Sequence, residues 1–557
     1  MTDLSKPSGV LERCRALRSK WSVREKKFVD WYEQLTLHNN LAQEGMESVI
    51  SNDPRTGYNL AKHLLIGSNI AHRIPSENLE AKEQAAVGEL ERFMTERWVE
   101  QEINYRHMGR QSWLGQLVGL MLAFGHYNVF AMVEKDRIWA EVWHPAQCYP
   151  NYDDGMLVEH ARIYRMSAAA ANFTAKAMGN VDARFNGTTT LYNYWGFDAD
   201  NVPVNSVVLG SDFIKKPTKE EHLHRLPIFS SPIGGLPDMG SIGSVSEYQK
   251  HWGEPLLATN EDIQNNYNKM LTYLQQLIRD TANPRWFEQS SGATPILTPE
   301  TVFKRGGIFY GGPNDAITPL ATPPIPVEIQ QMMFNYQNMQ QRGMFPYAVY
   351  GNIQQQISSL AMANIASASL QVLMPYMDGI RGVLSDVDNF WDDILKETGW
   401  TPHDFKRPTD LPDKYRFDVQ AQIEIPGHLV HRATVAKMLS PEFEVDNTTT
   451  AERLFPEIKD PAKMFARTRR DKAMSHPLAI QADQVIAYKE QAKELREAGQ
   501  IDHAEVYEAL AARMMSELSG APPQQPQAPT RREAGSIKSP DNAELTERPP
   551  QQGGEPV

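Results

Sequence analysis

The chain has 557 residues, with 56 Lys+Arg against 69 Asp+Glu and a net charge of −13. At about 100–200 residues per domain this is too long for one ordinary core and implies three to five modules. With 41% hydrophobic and 22% charged residues most of it can fold, and the acidic balance excludes a chromatin-type protein that wraps polyanion on a basic surface, though not nucleic acid that merely passes by.

The first residues, MTDLSKPSGVLERCRALRSK, hold no apolar core of signal-peptide length. Cys14 and Cys148 are the two cysteines, which excludes a disulfide framework and fits a reducing compartment. A soluble protein, cytosolic where it is made, is expected. Residues 1 to about 125 read as mostly helical. Trp31, Leu35 and His38 recur at helical spacing, and Trp113, Leu114, Leu117, Val118, Met121 and Phe124 form an apolar stripe that Gly125 stops.

From Tyr127 to about Phe229 the pattern becomes strands: YNVFAMVE at 127–134, RIWAEVW at 137–143, ARIYRM at 161–166 and TLYNYWGF at 190–197, with Asp153-Asp154-Gly155 as a hairpin turn. Residues 229–253 read as a long Gly/Pro/Ser-rich loop. A helix is then predicted from about Pro255 to Ala282. Ile263, Tyr267, Met270, Leu271, Leu274, Leu277 and Ile278 make one apolar face, and the other carries amides: Asn260, Gln264, Asn268 and Gln275. Asn283-Pro284 ends it. Short strands and turns follow to about 324.

A second helix is predicted from Pro326, with Glu328 in its first turn, a stripe of Ile329, Met332, Met333, Tyr336 and Met339, and Gly343 as its stop. The uncharged loop GMFPYAVYGNIQQQI spans 343–357. A very long helix is expected over about Ser358–Thr398, roughly 60 Å at 1.5 Å per residue. Leu373, Met377, Ile380, Leu384, Val387, Trp391 and Leu395 form its face, Pro375 lies inside it as a kink, and Gly399 caps it. The polar groups of Ser358–Met377 exclude a membrane span there. Phe417, Val419, Ala421, Ile423 and Ile425 alternate with polar residues as a strand. Helices return after Pro426-Gly427 to about Leu518. Residues 520–557, with eight prolines and no aromatic, are expected to be a disordered tail.

Chemistry is scarce. There is no P-loop, C-x-x-C, H-E-x-x-H or G-x-S-x-G, and GGLPDMGSIGS at 234–244 reads as plain loop. His222 and His224 lack the further ligands that zinc needs and read as a solvated turn. Asp153-Asp154 fits a turn, and Asp392-Asp393 an exposed helix face. Arg467, Arg469, Arg470 and Lys472 read as a solvated helix face in preference to a phosphate contact. No enzyme activity, metal or cofactor is expected. More telling is a charge desert: between Ile329 and Met377 only Arg342 is charged, where about ten charges are the norm. Its many Gln and Asn suit contacts between subunits, or a surface that meets a polyanion without holding it, since amides hydrogen-bond without the attraction of Lys and Arg.

The order of helix, turn-rich excursion, helix, short loop and long kinked helix resembles the portal proteins of tailed bacteriophages, over about residues 30–520. The resemblance rests on HRLPIF at 224–229, PLLATNEDIQNNYNKMLTYLQQLI, and SSLAMANIASASLQVLMPYMDGIRGVLSDVDNFWDDIL. It implies an α+β, predominantly α, portal fold: a wing at 1–253 with return strands at 399–426, stem helices at 254–282 and 325–342, a clip at 283–324, a tunnel loop at 343–357, the long kinked helix at 358–398 and a crown at 427–519. It further implies a ring, usually of twelve, at one capsid vertex, through which double-stranded DNA is packaged and ejected without sequence specificity. The major capsid protein, the terminase large subunit and a head-tail adaptor would be partners, and the virion its location. Asn352, Gln354, Gln355, Gln356 and Arg342 would line the tunnel; Lys304, Arg305, Phe309 and Tyr310 would dock clip partners. With no cation beyond Arg342, the loop is not expected to grip phosphate ionically. The alternative is a minor structural or adaptor virion protein without a channel. An enzyme would need a carboxylate or His cluster in a cleft.

Overall fold

The computed structural model describes residues 3–38, 48–75, 80–153, 156–179, 184–235, 253–282, 286–290, 292, 312–319, 326–345, 370–423, 461–474, 476–497 and 500–518. The chain divides into two compact units, residues 1–457 and 458–557.

The first unit opens with helices α1 (Pro7–Lys20), α2 (Ser22–Leu35) and α3 (Asp53–Ile66), strand β1 (Asn69–Arg73), then α4 (Ala81–His107) and α5 (Trp113–Phe124). The helix α5 carries no charge, so it is buried nearly all round. Ser112 Oγ accepts from Gly115 N–H at its start, and Gly125, at φ 61°, closes it in the left-handed region where glycine is favoured.

Two antiparallel sheets follow. Strands β2 (His126–Val133), β3 (Ile138–Val142) and β9 (Ile228–Pro232) form one, in the order β3-β2-β9. Strands β4 (Cys148–Asp153), β5 (Met156–Met166), β6 (Thr189–Phe197), β7 (Pro203–Leu209) and β8 (Asp212–Lys219) form the other, in sequence order. Val10, Cys14, Leu17 and Trp21 pack on Tyr149, Ala161, Ile163, Tyr194 and Val208 of the larger sheet. A helix missed in the sequence, α6 (Ala168–Ala177), packs Ala171 and Ala175 against Leu191, Val207 and Leu209. Its alanine-rich run AAAANFTAKA is a strong helix former, and Ser167 caps it. The edge of β3 is covered: Gln101 donates to Ala140 O (2.7 Å), Tyr105 Oη accepts from Val142 N–H (3.1 Å), and His403 Nε2 accepts from Ile138 N–H (3.3 Å).

The helix α9 (Met374–Thr398) buries six positions of its predicted face, the seventh, Leu373, is buried in the turn before it, and Gly399 at φ 63° caps the helix. A polar stripe at i, i+4, i+8 serves strand β12 (Asp418–Gln422): Arg381 donates to Ala421 O, Ser385 Oγ accepts from Val419 N–H (2.8 Å), and Asn389 exchanges two bonds with the backbone of Phe417. The other edge of β12 pairs antiparallel with β1, from Asn69↔Gln422 to Arg73↔Asp418. Beneath this clasp, fully buried Asp388 takes Trp98 Nε1–H (2.7 Å) and faces His72 Nδ1 (2.5 Å).

Several expectations change. The kink expected at Pro375 needs helix on both of its sides, and most of the preceding side lies outside the described residues. Pro375 lies in the first turn of α9, where a missing N–H costs nothing, and a 3-10 turn at Gln371–Leu373 precedes it. The rest of the predicted helix, 358–369, lies outside the described residues. Asp392 is buried, held by Arg407 Nε (2.8 Å) and Tyr415 Oη (2.6 Å); only its neighbour Asp393, paired with Arg416, is exposed. The helix predicted from about Pro255 starts at Glu261, after a 3-10 turn at Ala258–Asn260, because Leu256 and Leu257 are drawn into the core. His38 lies past the end of α2 and is exposed.

His160 on β5 is fully buried and neither ring nitrogen has a hydrogen-bond partner among the described residues. Burial, with Arg162 and Arg24 nearby, lowers its pKa to about 3. The unfolded chain, with an ordinary value near 6.5, then binds a proton that the folded chain does not. Stability contributed above about pH 6.5 is lost as pH falls toward 3, by up to about 1.4 kcal/mol per pH unit. Denaturant melts at pH 7, 5.5 and 4 should show a shallower acid loss for His160→Phe than for the parent; equal slopes refute it.

In the second unit, α10 (Pro461–Met474) precedes α11 (Pro477–Glu497) and α12 (Ile501–Leu518). The last two pack through Val485, Ala492, Ala504 and Ala511, with Tyr488 against Tyr507 and an Arg496–Glu508 pair of 2.9 Å.

Candidate functional site

The region set apart by the sequence is a helix, hairpin, helix projection in the first unit. Helix α7 (Glu261–Ala282) has 22 residues and α8 (Val327–Gly343) has 17, so they run about 33 and 25 Å. Between them, β10 (Trp286–Gln289) pairs antiparallel with β11 (Ala316–Pro319). Short strands do occupy the predicted excursion.

Its root is fixed to the core at several points. Glu261, in the first turn of α7 where a carboxylate suits the helix dipole, takes Lys27 Nζ (2.9 Å) and Trp31 Nε1–H (3.0 Å) from α2. The Glu261 bond raises the pKa of Lys27. Just upstream, three backbone segments cross: Ile233 N–H donates to Gly125 O (2.8 Å), Glu254 N–H to Ile233 O (2.8 Å) and Leu256 N–H to Leu122 O (3.0 Å). Tyr376 Oη–H donates to Glu254 O (2.7 Å), tying α9 to the same crossing. The partners of Glu261 lie more than 200 positions away, and no local pattern announces them.

Some of the amides serve the protomer itself. Gln340 donates to Gln264, Gln264 Nε2 donates to Asn268 Oδ1 (3.2 Å), and Asn268 Oδ1 also accepts from Ser51 N–H (3.0 Å). Gln337 donates to Tyr267 Oη (2.8 Å), Asn260 Nδ2 donates to Gln340 O (3.0 Å), and Thr272 Oγ1 accepts from Val49 N–H (3.1 Å). Gln264, Thr272 and Gln340 are buried. These polar groups therefore join α7 to α8 and to the 48–51 segment within one chain, although Gln340 Oε1 and Asn260 Oδ1 are buried with no hydrogen-bond partner among the described residues. The side left open is mixed: Asn265, Asn266 and Tyr273 on α7, and Gln330, Gln331 and Asn335 on α8, are exposed. Met270, Leu271, Leu274 and Leu277 are half-buried, while Ile278, Met332, Phe334 and Met339 are exposed, Phe334 at 64%. Trp286 and Phe287 on β10 are exposed as well.

A polar cavity of about 230 Å³ lies beside the root, lined by Asp30, Glu33, Gln34, Glu261, Gln264 and Asn268 among others. Among the described residues no group of His, Cys, Asp and Glu could hold a metal ion, and no helix is long and apolar enough to cross a membrane. His222 packs on Trp400 with the rings tilted at 46° and 5.1 Å between centroids, and His224 meets Glu397 at 2.6 Å; both lie in the connection before β9. Both cysteines are free, and burial pushes their thiols up to about 12.

Of the predicted site residues, Arg342 is exposed in the last turn of α8, with no partner among the described residues. Asn352, Gln354, Gln355 and Gln356 of the predicted tunnel loop lie outside the described residues, as do Lys304, Arg305, Phe309 and Tyr310 of the predicted clip. So do residues 424–460 and the tail from 519.

No family model matches the chain, and no curated protein does. Solved structures do. The neck of the empty gene transfer agent (GTA) particle, computed with C6 symmetry, aligns at TM-score 0.40 and 11% identity, covering 74% of this chain and 92% of that one. The neck of the native GTA particle, computed with C12 symmetry, aligns at 0.37 and 11%, covering 72% and 89%. The virion of the native GTA particle aligns at 0.40 and 11%, covering 77% and 92%.

Proposed function

We propose that the chain is a portal protein of a tailed phage: one subunit of a ring, at a capsid vertex, through which double-stranded DNA enters and leaves the head. The observation that carries this is the distribution of polarity on the projecting pair α7/α8. Asn265, Asn266, Gln330, Gln331 and Asn335 stand exposed there with Tyr273, Ile278, Met332, Phe334 and Met339, a surface of amides and large apolar groups with few charges. A lone soluble chain gains nothing from that arrangement, whereas identical neighbours set side by side would cover the open side. In this reading the first unit supplies wing, stem and clip, with α7 and α8 as stem helices, β10/β11 as part of the clip and α9 as the long helix behind them. The second unit is the crown. The capsid protein, terminase and head-tail adaptor are the expected partners, and the protein has no catalytic centre of its own. A net charge of −13 per chain, repeated around a ring, keeps duplex DNA from adhering to the wall.

Class averages of the purified protein in the electron microscope test this. The expected particles are closed rings, twelve-fold or close to it, with a central hole. The double variant Ile278→Glu/Phe334→Glu should leave helical content unchanged and yield protomers. Monomers or filaments from the parent chain would favour an adaptor without a channel.

A further inference from the structure

One motif is left without a role by this function: the basic run on α10. Residues 461–474 hold Lys463, Arg467, Arg469, Arg470 and Lys472 against Asp471 alone. The rest of the unit's helices, 477–497 and 501–518, hold four basic residues against eight acidic ones. Charge of one sign is thus gathered on one helix of an acidic chain. Arg467, Arg469, Arg470 and Lys472 are all exposed, and no carboxylate among the described residues pairs with the three arginines. Arg467 and Arg470 stand at i, i+3, as do Arg469 and Lys472, so two adjacent stripes put four cations within about 7.5 Å of helix axis. Phosphates on one DNA strand advance about 3.4 Å each, so this length spans two to three of them. Guanidinium forks suit phosphate oxygens better than single ammonium groups do.

We infer that α10 is a binding site for the sugar-phosphate backbone of duplex DNA, held without regard to base sequence. The identity of the polyanion rests on the channel reading above; the site itself rests on the charge segregation. A rival occupant is the acidic side of the α11/α12 pair in a second copy. On α11 Asp483, Glu490, Glu494 and Glu497 stand at i, i+7, i+11 and i+14, but directly beside a stripe of Lys489, Lys493 and Arg496 at i, i+4 and i+7, so α10 would meet like charge one stripe away from those carboxylates; duplex DNA is anionic throughout.

The test uses the full chain and a labelled 30-base-pair duplex of arbitrary sequence, with binding followed by anisotropy from about 50 to 200 mM salt. Arg467→Gln/Arg469→Gln/Arg470→Gln should weaken binding roughly tenfold or more and lower the salt slope by about two to three. Lys489→Gln/Lys493→Gln on α11, a control for net charge, should change neither. Unaltered binding by the triple variant overturns the proposal, as does equal loss in the control. Rings that fall apart in the triple variant while each protomer binds DNA as before would assign α10 to the neighbouring copy instead, and also overturn it. Parent protein that never forms rings, yet binds duplex through these arginines, would sink the portal reading and leave the α10 site standing.

Discussion

Asp388→Ala is expected to destabilise the first unit by about 3–5 kcal/mol, a large part of the 5–15 kcal/mol that holds a typical protein folded. Asp388 is fully buried on α9, and its two oxygens meet His72 on β1 and Trp98 on α4. Trp98 in turn stacks among Trp113 and Trp391, with centroids 4.6 and 5.0 Å away. Removing the carboxylate leaves both nitrogen groups without partners where water cannot reach, at roughly 1–3 kcal/mol each, and opens a void. Asp388→Asn keeps an oxygen for Trp98 and an amide for the imidazole, so it should cost only about 1–2 kcal/mol. Urea midpoints of the two variants, read with an unchanged slope, separate the cases. A loss under about 1 kcal/mol for the alanine variant would show that the contact is not structural.

Gly253→Ala should be comparably severe, by about 3 kcal/mol or more. A methyl group on Gly253 would stand 1.4 Å from Gly125 O and 2.7 Å from Ile233 N. Those are backbone atoms, and the bond between them is part of the crossing that leads into α7. To make room, the crossing must open, which withdraws Leu256 and Leu257 from the core and frees Glu261 from Trp31. Thermal unfolding reads the stability, and tryptophan fluorescence reads the detached root. The contrasting case is Gly88→Ala in α4, where nothing lies within 4 Å of the added carbon; it should stabilise by about 0.5–1 kcal/mol. Equal melting of Gly253→Ala and the parent would mean that the crossing is looser than its bonds indicate.

These two sites also mark where the sequence stops being readable. Periodicity found the face of α9, because a single helix carries its own repeat: Met377, Ile380, Leu384, Val387, Trp391 and Leu395 are all buried as predicted. Strands β2, β3, β5 and β6 were found for the same reason. Nothing local announces that Asp388 will face His72 from 316 positions away, or that β1 will pair with β12. Asp392 was misread as solvated because its partners, Arg407 and Tyr415, come from beyond the end of the helix. On α7 the two faces were correctly separated, but pattern alone does not say which one a protomer keeps for itself. Cover divides position by position, not face by face: Gln264, Tyr267 and Gln340 are buried inside the chain, while Asn265, Asn266, Ile278 and Phe334 are exposed.

The root of the projection has a mechanical corollary. Both of its ends are fixed in the body: Glu254 and Leu256 are bonded into the crossing, Met344 and Phe345 are buried in the core, and Asn260 Nδ2 donates to Gln340 O between them. The projection made by α7, β10/β11 and α8 is therefore a double strut without a free end. A pull or twist at its tip is divided between two helices and returned to the same body, so no terminus can be peeled away, and the load must shear interlocked side chains before it can unravel the chain.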